Sequence, residues 1–144
     1  MRSVSGTTKI DISDELTVTT GAAGEITFYG LVSINAAAAA NDGTFGAIMR
    51  WQYKPVGGSY SDVGGADIAD DSPVEVGQYG GSYWAIPGQI DAAASITGLS
   101  ASTDYVIKLQ AARDSSSPAK TISFGGTVYA QGSIGGGRFL AFFS

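Results

Sequence analysis

The sequence predicts an all-β chain folded as an antiparallel β-sandwich. Three observations carry this. The best-patterned segments alternate apolar and polar residues, the period of a strand with one buried face. No segment of useful length has a helical period. The 21 glycines and 4 prolines punctuate the chain at short intervals, as turns between strands require. A length of 144 residues suits one domain and allows most of the unfolded chain's surface to be buried. The expected domain spans 1–144, with an N-terminal arm at 1–20 and a C-terminal assembly strand at 138–144.

The elements follow in order. "KIDI" and "ELTV" alternate weakly and predict an edge strand or an arm that docks on a neighbour. "GEITFYGLVSI" places Ile26, Phe28, Val32 and Ile34 on one face, and Gly30 marks a bulge or a close backbone approach. "NAAAAAND" favours helix, but five alanines are too few for a stable isolated one, so the stretch reads as a connection. "FGAIMRWQYKP" turns Met49, Trp51 and Tyr53 inward and Ile48, Arg50, Gln52 and Lys54 outward. "VGGSYSDVGG" predicts a hairpin whose glycines supply the positive φ of a tight turn. From 66 to 88 the pattern is poor, Pro73 and Pro87 interrupt ladders, and a loop-rich variable face is expected.

"ITGLSASTDYVIKLQAAR" has the clearest alternation, with Tyr105, Ile107, Leu109 and Ala111 on one side and Val106, Lys108, Gln110 and Ala112 on the other. The turn before it should bury Leu99 and the Tyr105 ring, with the phenol oxygen reaching backbone across the bend. "KTISFGGTVYAQ" supplies one or two late strands, and "GSIGGG" a flexible joint to "RFLAFFS".

Composition narrows the chemistry. Eight Lys and Arg stand against 13 Asp and Glu, a formal charge of −5, so no basic patch exists to engage a nucleic acid. No apolar run has the length of a signal peptide or a membrane span, and a product made soluble in a cytoplasm is expected, without a membrane partner. Without cysteine there is neither disulfide nor thiolate chemistry. Without histidine the Ser-His-Asp triad is absent. The glycine clusters lack the strand–loop–helix context of a phosphate cradle.

Asp62, Asp67, Asp70, Asp71 and Glu75 are the remaining catalytic or calcium-binding option. A glycosidase needs two carboxylates across a cleft, and an EF-hand needs its own spacing; this cluster reads as a solvated loop. The expectation is a non-enzyme with no catalytic residue, metal or cofactor. Two stretches remain as candidate surfaces. Tyr79, Tyr83 and Trp84 lie among glycines in "YGGSYWAIPG" and suit a ligand or partner loop, or else Trp84 plugs the end of the sandwich. The tail residues Arg138, Phe139, Leu140, Phe142 and Phe143 suit an assembly interface, because an extended "RFLAFF" is apolar on both faces.

Leu99, Thr103 and Tyr105 in "GLSASTDYVIKLQAA" have the spacing of the tyrosine corner and resemble the E–F corner of fibronectin type III domains. "RWQYKPVGGSYSDV" is similar to the C–C′ hairpin of that family. Over the whole chain, the Gly, Ala, Ser and Thr content, the lack of Cys and His, and the aromatic end after a glycine joint resemble small bacteriophage virion surface proteins. That resemblance implies a capsid decoration or cement protein, located in the virion after synthesis in the host cytoplasm. It implies a jelly-roll-like order of the sandwich, with an immunoglobulin- or fibronectin III-like Greek key as the alternative, the major capsid protein or another virion protein as partner, and a homotrimer. The alternative it offers is a carbohydrate- or receptor-binding module of a tail or head fibre.

Overall fold

The computed structural model describes residues 2–36, 45–64, 68–79, 82–86, 88–114, 121–132 and 138–143, with side chains for 2–35, 46–64, 89–114 and 121–132. The strands are β1 (Arg2–Val4), β2 (Ile10–Asp11), β3 (Leu16–Thr19), β4 (Ile26–Ala36), β5 (Phe45–Pro55) and β6 (Ser61–Asp62). The second half holds β7 (Ile68–Tyr79), β8 (Ser82–Ile86), β9 (Gly88–Ile96), β10 (Asp104–Arg113), β11 (Ile122–Gly132) and β12 (Arg138–Phe143). No helix occurs among the described residues.

Two antiparallel sheets pack face to face. Sheet A runs β1–β11–β4–β9, and sheet B runs from β2 and β3 through β10 and β5 to β7 and β8. With β2–β3 taken as one interrupted strand, β7–β8 as one hairpin, and the two-residue β6 and the added β12 set aside, the first sheet holds the first, eighth, third and sixth strands, and the second holds the second, seventh, fourth and fifth. This is the order of a jelly roll, two Greek keys folded on each other, and it decides against the immunoglobulin-like alternative. β12 is added to the outer side of β11, where Gly126 to Gln131 pair with Phe143 to Arg138, just beyond the stretch of β11 that pairs with β1.

The core lies between the sheets, as the alternation predicts. Ile26, Phe28, Val32 and Ile34 of β4 face Met49 and Trp51 of β5 and Ile107 and Leu109 of β10, all of them fully or almost fully buried. Trp51 stacks on Phe28 across the sandwich, with ring centroids 5.3 Å apart. Gly30 is the site of a close approach and not of a bulge, because both of its ladders keep register through it. The hairpin after β5 forms as expected, with Gly57 at φ 81° and β6 returning on Gln52 and Tyr53.

The N-terminal segment is edge strand in its own sandwich: β1 pairs with β11, and β2 and β3 pair with β10. Between β2 and β3 the Ser13 hydroxyl takes the place of a ladder carbonyl and accepts from Leu109 N at 2.8 Å. Ile12 beside it is completely buried. The next residue of the segment that matters is Thr20, buried against the corner before β10. Its hydroxyl accepts from Thr103 N at 2.9 Å and has the carbonyls of Ser100 (2.6 Å) and Thr103 (3.1 Å) within donating reach.

Two expectations are corrected. Within the stretch 66–88, expected as a loop-rich face, Ile68–Tyr79 and Ser82–Ile86 are the strands β7 and β8, paired antiparallel in continuation of sheet B. Pro73 is accommodated because the β5–β7 ladder loses register between Phe45 and Ala47, so it falls in the irregular part of the strand. The outward face of β10 is not open to solvent either, since Val106, Lys108 and Ala112 are all buried. Of the connection expected at 35–42, Asn35 and Ala36 belong to β4, and of the joint at 132–137, Gly132 belongs to β11; 37–42 and 133–137 lie outside the described residues.

Candidate interaction surfaces

The tail is placed by backbone pairing. Arg138 stands opposite Gln131, Phe139 opposite Ala130, Leu140 opposite Tyr129, Phe142 opposite Thr127 and Phe143 opposite Gly126. The side chains of this strand lie outside the described residues. Among the described strands β12 pairs with β11 alone, so its second edge has no described strand beside it.

Tyr79, Tyr83 and Trp84 are on strands and not on a loop: Tyr79 opposes Ser82, Gln78 opposes Tyr83 and Gly77 opposes Trp84 in the β7–β8 hairpin. Whether Trp84 plugs the sandwich end falls outside the described side chains. The carboxylate group of the sequence is spread along the fold. Asp62 on β6 is held by Arg50 and accepts from Gln52 Nε2 at 2.8 Å, while Asp70, Asp71 and Glu75 lie along β7. Asp67 is outside the described residues. Among those described, no three acidic groups converge on a metal site.

Around Lys108 the outer face of sheet B is covered by its own side chains. Lys108 Nζ lies 2.9 Å from Asp11 Oδ2 and 4.0 Å from the centre of the Tyr60 ring, and Lys54 Nζ approaches the same ring at 4.4 Å. Gln110 Nε2 donates to the other Asp11 oxygen at 2.7 Å. Tyr60 Oη donates to Glu15, so the turn after β5 is strapped onto the N-terminal segment. Desolvation first, then the Glu15 carboxylate, push the Tyr60 phenol well above its ordinary pKa, which keeps it a donor. Partial burial works to raise the Asp11 pKa, but hydrogen bonds from Gln110 and Lys108 and the nearby cations together hold it below the ordinary value.

The outer face of sheet A is different. Tyr29 on β4 is 42% exposed and directly opposes Tyr129 on β11. The two phenols diverge: Tyr29 Oη donates to Asp91 Oδ1 on β9 at 3.2 Å, and Tyr129 Oη donates to Gln131 Oε1 at 2.6 Å. Opposite Tyr29 on its other side is Ala93, exposed and small. Sequence reasoning passed over this pair because it followed the inward residues of "GEITFYGLVSI". The usable signal was Tyr29 itself, a large aromatic at a solvent-facing position of a core strand. Comparison of the chain with protein-family models, curated proteins and solved structures finds no match.

Proposed function

We propose that this chain is a non-enzymatic virion structural protein, a capsid decoration protein that binds the assembled shell as a homotrimer. The observation that carries the reading is β12. An edge strand in a soluble protein is normally blunted by charge, proline or a bulge. The sequence of β12, "RFLAFF", carries one charge and no proline, and its backbone has a hydrogen-bonded neighbour on one side only among the described strands. Such a strand is suited to burial against another subunit through its free edge and outward face, where Phe142 contributes about 1.5–3 kcal/mol if fully covered, since Phe139 stands opposite Ala130, a buried core residue of the same sandwich. The virion setting rests on fold-level analogy with jelly-roll shell proteins, whereas the assembly role rests on the strand itself.

An attachment of this kind is dominated by apolar contact and resists salt. Co-sedimentation with purified shells across a salt series tests it. Retention at high salt, lost on truncation after Gly137 in a variant that keeps its β-sheet circular dichroism, supports the reading. Absence of the protein from the shell pellet at every salt concentration overturns it.

A further inference from the structure

The outer face of sheet A has the chemistry of a sugar-binding platform, and we propose that it binds a neutral glycan, with a hexopyranose ring lying over Ala93 against the ring of Tyr29. The proposed shelf lies on β4 and β9, with β11 between it and β12, and the proposal does not depend on shell binding. It puts sugar recognition on sheet A and not on the β7–β8 hairpin that the sequence suggested.

Three features of the surface converge. Ala93 offers only a methyl group beside an exposed tyrosine, which leaves a shallow shelf on β9, the edge strand of the sheet. Asp91 and Ser95, both exposed, stand two residues to either side of Ala93 on the same face of that strand. Hydroxyls of a ring lying on the shelf meet a carboxylate acceptor at one end and a hydroxyl at the other, and the apolar face of the sugar meets the aromatic ring. Tyr129 extends the aromatic surface onto β11, since directly opposed residues on neighbouring strands have Cβ atoms about 4.5–5.5 Å apart.

Charge selects the ligand class. The sequences of β4, β9 and β11 contain no Lys or Arg, and Asp91 is their only charged residue. Arg138 of β12 stands opposite Gln131, three strands away from Ala93, so the shelf has no cation on its own strands for a phosphate, a sulfated polymer or an anionic lipid, and one carboxylate is a weak attractant for a polycation. Thr27 and Ser33 add hydroxyls and Gln89, opposite Ser33, an amide, all exposed and all groups that a polyhydroxylated ligand satisfies. An apolar protein face would leave them unpaired.

The test is an amide NMR titration of the full-length protein with cellohexaose, maltohexaose, chitohexaose and mannohexaose at millimolar concentration. A stacking platform tolerates a range of neutral hexose rings, so at least one should shift the amides of Tyr29, Asp91 and Ala93. Tyr29→Ala should weaken binding at least about tenfold and Tyr29→Phe should retain most of it. Unchanged near-ultraviolet circular dichroism in both variants verifies the fold. No shift on sheet A with any of the four, or shifts confined to Tyr83 and Trp84, overturns the proposal. Shifts of the same amides that depend on protein concentration without sugar also overturn it, and show a second copy of the chain to be the occupant. Shell binding stands or falls separately from all of these outcomes.

Discussion

Gly30 on β4 is the floor on which Trp51 of β5 rests: a Cβ built on Gly30 would lie 3.3 Å from Trp51 Cζ2 and 3.4 Å from Leu109 Cδ2. The two sheets approach closely here because one residue lacks a side chain. Gly30→Ala should therefore overpack the centre of the sandwich and cost about 1–3 kcal/mol. Trp51→Ala empties the same place and should cost about 3–5 kcal/mol. Urea unfolding of the two variants measures both, and a Trp51→Ala loss below about 1 kcal/mol would remove Trp51 from the core.

The corner before β10 is held by two hydroxyls of unequal consequence. Tyr105 Oη accepts from Ser100 N at 3.2 Å, but Ser100 is exposed, so in Tyr105→Phe its amide returns to water. The cost should be about 1 kcal/mol. Thr20 is buried, and Thr20→Val strips Thr103 N of its partner while burying a methyl among carbonyls. That change should cost about 1–3 kcal/mol. Equal losses in the two variants would contradict this ranking.

Gly24 is a third constraint on the same corner. Its φ is 59°, and an added Cβ would lie 2.0 Å from Leu99 O, a backbone atom that cannot swing aside. Gly24→Ala should prevent Leu99 N from donating to Gly24 O, a bond of 3.0 Å in the native corner, and lower the thermal midpoint more than Tyr105→Phe does. A thermal melt decides it.

Asp11 sets an acid limit on stability. Its pKa is lowered in the folded protein from an ordinary value of 3.8. A carboxyl lowered on folding stabilises fully above its unfolded pKa, and the contribution disappears as pH falls through the folded value. Stability should therefore fall with acid below about pH 4, and Asp11→Asn should flatten part of that slope. Identical acid limbs in urea midpoints of the two proteins would contradict it. Because the Asp11 carboxylate is partly exposed, added salt should reduce the difference between them.

Truncation after Gly137 removes the strand that covers Gly126 to Gln131 of β11. If β12 is the assembly element, analytical ultracentrifugation should give a trimer for the full chain and a smaller, still folded species for the truncated one. A trimer that survives truncation would refute the assembly role. A monomeric full chain that unfolds on truncation would make β12 an internal covering strand instead.

Core strands are legible in the sequence because burial on one face forces period two, as in β4, β5 and β10. Gly30 and the Leu99–Tyr105 corner are legible because a glycine in a core strand and a tyrosine after a turn each have few structural explanations. β7 was missed because the ladder around Pro73 is irregular, which frees it from the alternation that a regular ladder imposes. The cover over Lys108 was missed because it comes from Asp11 and Tyr60, far from it along the chain, and period two reports only that a residue points away from the core. The sheet A platform is a product of register: nothing in the sequence alone aligns Tyr29 with Tyr129 and Ala93.

The central claim, that the molecule decorates an assembled shell, is tested most directly by electron micrographs of particles produced with and without this protein. The account predicts added trimeric density at repeated positions on the shell lattice in the first and its loss in the second. Indistinguishable shells, or density confined to a tail or fibre, would contradict it.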